Sequence, residues 1–65
     1  MAVTLYKQLV ALLLAHGCTF VRQGKGSHEI WQSPLSEKRF TVPTTIKAKP
    51  TANAILKQAG VRQRI

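Results

Sequence analysis

Apolar positions between residues 4 and 17 recur at helical spacing. Leu5, Leu9, Leu12, Leu13 and His16 share one stripe. Thr4 can cap the first free N–H groups with its hydroxyl, and Gly17 can take the left-handed conformation that ends a helix. The pattern therefore predicts a helix over 4–17. Tyr6, Val10 and Leu14 lie off the stripe. Either the core face is broad, as suits a small protein, or the extra apolar face binds another protein.

After Gly17 the period changes from helical to alternating. Residues 18–23, with Thr, Phe and Val at their centre, suit a strand. Gly24-Lys25-Gly26 supplies a hairpin turn, and 27–32 is the return strand. Residues 33–37 form a second connection, where Pro34 forbids strand continuation. Residues 38–42 make a third strand, stopped by Pro43. On the return strand, His28, Ile30 and Gln32 share one face while Ser27, Glu29 and Trp31 share the other. The expected core face of the sheet is Phe20 or Val21, Ile30, and Phe40 with Val42. Trp31, on the opposite face, is then free to stack on a base, cover the sheet or contact a partner.

Residues 44–49 read as a polar, basic loop. Thr51 is placed to cap a last helix over 52–59, with Ile55, Leu56 and Ala59 as its buried stripe. Gly60 is the stop signal and Val61 can pack back on the last turn. Both helices must cover one face of the sheet to bury their stripes. The expected fold is α+β: helix, three-stranded antiparallel sheet, helix, in one domain over 1–65.

Composition narrows what such a domain can do. The 65 residues carry ten Lys or Arg and two acids, a formal charge of +8. That excess points to a polyanionic partner: nucleic acid, an anionic membrane or an acidic protein. Nucleic acid is favoured. A domain this small has a thin core, with no room for a deep cofactor pocket. Cys18 is the single cysteine, so no intramolecular disulfide staples the fold, and a reducing compartment is favoured. Cys18 reads as a small, half-buried strand residue. One Cys and two His without ligand spacing make no zinc site. Glu29 and Glu37 are too few to hold a pair of magnesium ions. No metal and no cofactor are expected. The apolar run over 9–15 is too short to span a membrane. The protein reads as soluble and cytoplasmic, with a secretory signal as the minor alternative.

Candidate chemistry concentrates in the first hairpin, Arg22-Gln23-Gly24-Lys25-Gly26-Ser27-His28. Glycines let a backbone approach a ligand closely. Arg22 and Lys25 can hold phosphate oxygens. Ser27 offers a hydroxyl, and His28 offers an imidazole, which can take or give a proton. These are parts for binding a phosphodiester and moving a proton on it. Residue types alone leave open that His28 is only a turn residue.

The same residues carry a resemblance. Arg22-Gln23, Gly24-Lys25-Gly26-Ser27-His28 and Ile30 resemble the core signature of the HicA toxin family. Phe40-Thr41-Val42-Pro43 is similar to that family's third strand and its terminating proline. Thr51, then Ile55-Leu56-Lys57-Gln58-Ala59-Gly60, resembles its last helix, and Gly17 falls where its first helix ends. The resemblance implies a fold like that of double-stranded-RNA-binding domains. It implies an mRNA-cleaving toxin paired with a HicB-type antitoxin, with His28 catalytic and Gly26 and Ser27 as its motif neighbours. DNA would then be reached only indirectly, through the antitoxin.

With His28 as the reactive group, a metal-free route uses the RNA's own 2′-hydroxyl as nucleophile. His28 moves the proton, and Arg22 or Lys25 stabilises charge on the phosphate. Lys38, Arg39, Lys47 and Lys49 extend the expected RNA track. The antitoxin is expected on the His28 hairpin and the apolar face of the first helix. The rival expectation is a non-catalytic RNA-binding module of the same fold.

Overall fold

The computed structural model describes residues 4–65. Residues 1–3 of the expected domain lie outside the described residues. The element order is α1 (Leu5–Ala15), β1 (Thr19–Gln23), β2 (His28–Gln32), β3 (Arg39–Pro43) and α2 (Lys49–Gln58). The strands form one antiparallel sheet in the order β1-β2-β3. This is the expected α+β arrangement, with both helices on one side of the sheet.

Local chemistry sets the ends of α1. The Thr4 hydroxyl accepts from the Lys7 N–H at 3.2 Å, satisfying a donor that has no partner inside the helix. At the other end the His16 N–H reaches back to the Leu12 and Leu13 carbonyls, and Nδ1 of its ring lies 2.8 Å from the Leu12 oxygen. Gly17 then turns with φ +85°, and the Cys18 N–H bonds to the Leu13 carbonyl. Cys18 is fully buried just before β1, rather than half-buried within it.

Leu9 and Leu13 of α1 are completely buried. Each such side chain contributes about 1.5–3 kcal/mol by leaving water. They meet Ala52, Ile55, Leu56 and Ala59 of the last helix, and Trp31, Phe40 and Val42 of the sheet. Tyr6 and Val10 are half-buried against this cluster, so the spare face of α1 narrows to Leu14, which is 57% exposed.

The sheet corrects one expectation. Trp31 stands opposite Phe40, and Glu29 opposite Val42. Directly opposed residues share a face, so Phe40 and Val42 carry Trp31 into the core. Trp31 is 4% exposed and cannot stack on a base. Ile30, expected in the core, lies on the open face instead. On β1 a bulge falls between Phe20 and Arg22. It absorbs Val21 and reverses the alternation beyond it. Phe20, before the bulge and opposite Trp31, is on the helix side but on the edge strand, so it is 50% exposed, with its ring edge-on to Trp31 at 6.0 Å.

The last helix also starts earlier than the sequence suggests. It begins at Lys49 with Pro50 in its first turn, and Ala48 is its N-cap without a side-chain bond. Thr51 is therefore inside the helix and does not cap it. Proline suits that first turn because its missing N–H would have had no helical partner. At the C-terminal end Gly60 has φ +78°, and the Val61 N–H bonds to the Leu56 carbonyl at 2.9 Å. Val61 is buried against the helix it terminates. The buried Ser33 hydroxyl donates to the Ala59 carbonyl, tying the β2–β3 connection to this helix end.

Candidate nucleic-acid interface

The strand register places His28, Ile30 and Gln32 on the face of β2 that neither described helix covers. Arg22 and Thr19 of β1, and Arg39, Thr41 and Pro43 of β3, stand opposite members of this row. Arg22 is paired with Ile30, so it is a diagonal neighbour of His28 on the same face, at about 7–8 Å in ordinary sheet geometry. Both side chains are exposed.

The turn that carries His28 is held by its backbone. The Gly24 N–H donates to the His28 carbonyl at 2.8 Å, and the His28 N–H donates to the Lys25 carbonyl at 3.1 Å. The Thr44 N–H donates to the Ser27 carbonyl at 2.9 Å, pinning the turn to the end of β3. One side chain adds to this frame. The Gln23 amide donates to the Gly26 and His28 carbonyls, each at 3.1 Å. Its type gave no sign of that role, because an exposed glutamine at a strand end is ordinary.

The two turn glycines serve different ends. A Cβ on Gly24 would lie 3.0 Å from the His28 carbonyl oxygen, so its smallness permits the close hairpin. A Cβ on Gly26 would meet nothing within 4 Å, but Gly26 has φ +63°. Its contribution is the left-handed conformation, which costs other residues about 1–2 kcal/mol.

The candidate residues divide into two groups. Arg22, Lys25, Gly26, Ser27 and His28 come together at the first hairpin, all exposed. Lys47 and Lys49 follow Pro43, which stands opposite His28, so they leave the sheet at the same end. Lys38 and Arg39 lie at the other end. Arg39 is opposite Gln32, four residues along β2 from His28, or about 13 Å at strand rise. They are exposed but are not part of the hairpin cluster.

The acids do not join the hairpin either. The Glu29 carboxylate, on the helix side, accepts from the Tyr6 hydroxyl at 2.7 Å and from the Trp31 indole N–H at 3.1 Å. The hydrogen bond to Glu29 is the main cause that pushes the Tyr6 pKa from 10.0 up to about 12, aided by burial and the carboxylate's charge. Glu37 sits in the β2–β3 connection with φ +57°. Among the described residues no cluster of three His, Cys, Asp or Glu is placed to hold a metal ion. No described helix is long and apolar enough to cross a membrane.

Comparison with curated proteins and with solved structures returned no match. A search of protein families found one described as the HicA toxin of bacterial toxin–antitoxin systems, matching residues 6–61. The match runs from Tyr6 on α1, through the His28 hairpin and the sheet, to Val61 beyond the last helix. The chain belongs to the HicA toxin family of bacterial toxin–antitoxin systems.

Proposed function

We propose that this toxin is a metal-independent endoribonuclease acting on mRNA, with His28 as its proton-transfer group. The observation that carries the reading is the placement of His28. It stands on a sheet face that no described element covers, on a hairpin framed by backbone bonds, with Arg22 as its diagonal neighbour on that face.

The chemistry uses what an RNA strand brings. The 2′-hydroxyl attacks the adjacent phosphorus, and its proton passes to a base. The bond from phosphorus to the 5′-oxygen breaks, and that oxygen takes up a proton. The products are a 2′,3′-cyclic phosphate and a 5′-hydroxyl. His28 takes or gives the proton in one of these transfers. Arg22 or Lys25 neutralises charge gathering on the non-bridging oxygens. Gly26 and Ser27 leave room for the backbone beside the imidazole. Lys47 and Lys49 guide the strand toward this end of the sheet, while Lys38 and Arg39 contact it farther along. An exposed site of this kind needs no pocket, because its substrate is a backbone phosphate.

A HicB-type antitoxin silences the enzyme by covering the exposed hairpin, and Leu14 offers it an apolar foothold on α1. The toxin acts in the cytoplasm, where mRNA is found. It reaches DNA only through the antitoxin.

The test is incubation of the purified protein with RNA and with DNA of the same sequence. Cleavage of RNA alone, leaving 2′,3′-cyclic phosphate ends, is expected. RNA that is retained but never cut would replace this reading with a non-catalytic RNA-binding module.

A further inference from the structure

The chain beyond the last helix turns back on it. Val61 is buried, and four residues later the Ile65 N–H donates to the Asn53 side-chain oxygen at 2.8 Å. Ile65 also packs at the edge of the core. Residues 62–64 are thus held as an arch between two anchors. Beneath it lies a cleft of about 660 Å³, within the size range of ligand sites.

The lining has a consistent character. From α2 come Pro50, Asn53 and Lys57, at helical spacing on a face beside the buried stripe. From the returning segment come Val61, Arg62 and Arg64. Lys57, Arg62 and Arg64 are exposed cations, and among the described residues no Asp or Glu lines the cleft. None of the three side chains has a hydrogen bond or ion pair among the described residues.

We propose that this cleft is a second nucleic-acid site, which holds a flanking stretch of the strand whose other part lies at His28. The inference rests on the RNA-cleaving reading and extends it. Pro50 and Ala54, both exposed, give a small apolar floor for the face of a base. The two guanidinium groups present paired donors to phosphate oxygens, and Lys57 adds a third charge. Because the arch is fastened at both ends, little ordering is left for binding to impose. Position also favours a long, flexible polyanion. The cleft is lined by α2 and the returning segment while His28 is on the open sheet face, in a molecule whose principal extents are only 32 × 27 × 19 Å. A single strand can reach both by passing round one edge.

The experiment compares wild type with the variant carrying Lys57→Gln, Arg62→Gln and Arg64→Gln. The probes are RNA oligonucleotides of about 4 and about 16 nucleotides, spanning known single-strand site sizes. Their 2′-hydroxyls are methylated to prevent cutting, and binding is read by fluorescence anisotropy across a salt series. Wild type is expected to bind the long probe more tightly than the short one. The triple variant is expected to lose about tenfold or more on the long probe and to bind the short one unchanged. Its log–log salt slope on the long probe should be shallower by about two, at about 0.7 per lost phosphate contact. Equal affinity and slope for wild type and variant on the long probe would overturn the cleft site and leave the His28 reading intact. Failure of wild type to bind either probe would overturn both. An oligoglutamate peptide that binds wild type but not the variant, with RNA binding unaffected, would reassign the cleft to an acidic protein.

Discussion

On β2, neighbouring residues have opposite surroundings. Glu29 and Trp31 face the helices, where the Glu29 carboxylate holds both the Trp31 indole and the Tyr6 hydroxyl. His28, Ile30 and Gln32 face the other way, on a surface that no element of the described residues covers. A two-layer domain of this size has no interior to spare for a reaction centre. One side of the strand is given to cohesion, and the other presents chemistry to solvent. Substitutions on the two sides should therefore damage different properties, and each prediction below probes that division.

Trp31→Ala should have the largest effect on stability. Removing a buried Trp from a core costs about 3–5 kcal/mol, a large share of what a small domain has. Denaturant titration followed by circular dichroism should show a strongly lowered midpoint or loss of the folded baseline. A Trp31→Ala variant as stable as wild type would break the assignment of Trp31 to the core side.

Gln23→Ala should act mainly on function: Gln23 stands opposite Glu29 in the helix-side row, but its amide reaches the turn that presents His28 on the open face. The amide supports the Gly26 and His28 carbonyls from an exposed position, so its loss should cost about 1 kcal/mol or less in stability. A small displacement of the imidazole can cost up to about a hundredfold in rate. RNA cleavage is thus expected to fall far more than folding stability, with KM little changed. Parallel losses in both would mean that Gln23 is only structural.

The smallest effect is a titration. Tyr6 is the one tyrosine, so phenolate absorbance reports on it alone. Its midpoint should lie near 12, and Glu29→Gln should bring it back toward 10.0. The sign follows from the raised value: neutral Tyr6 is favoured in the fold. This contribution is complete below the unfolded pKa and is lost as pH rises from about 10 through about 12. An unshifted midpoint in wild type would mean that the helix-side link between Tyr6 and Glu29 is absent in solution.

How far these two sides were legible in the sequence differs by kind of signal. Thr4, Gly17 and Gly60 marked helix ends because capping and left-handed turns depend on the residue at one position. The leucines of α1 showed their buried stripe through spacing alone. Trp31 was misplaced because the parity of a short strand is set by register against its neighbours, and Ile30 and Trp31 are both apolar. The bulge at Val21 compounded this, since it shifts one strand's alternation without any glycine to announce it. Thr51 looked like a cap because it follows Pro50, whereas the helix takes Pro50 into its first turn. At the site, the hairpin cluster was visible as a run of chemistry-bearing residues. The Gln23 bonds were not, because they depend on where two carbonyls point. Val61 packing back on the last turn was legible after Gly60, but the cleft at Lys57, Arg62 and Arg64 was hidden because no residue type announces that the chain returns as far as the Ile65–Asn53 bond.

The central claim is that the open face performs the reaction and that His28 is its proton-transfer group. The most direct measurement is RNA cleavage by purified His28→Ala beside wild type, with folding of both checked by circular dichroism and Trp31 fluorescence. Exposed and outside the core, His28 should be replaceable within about 0.5 kcal/mol of stability, so the variant should be folded. It should still bind RNA, and its cleavage rate should fall by about 10²–10⁴-fold, the usual share of acid–base catalysis. A folded His28→Ala protein that cuts RNA at the wild-type rate would contradict the account.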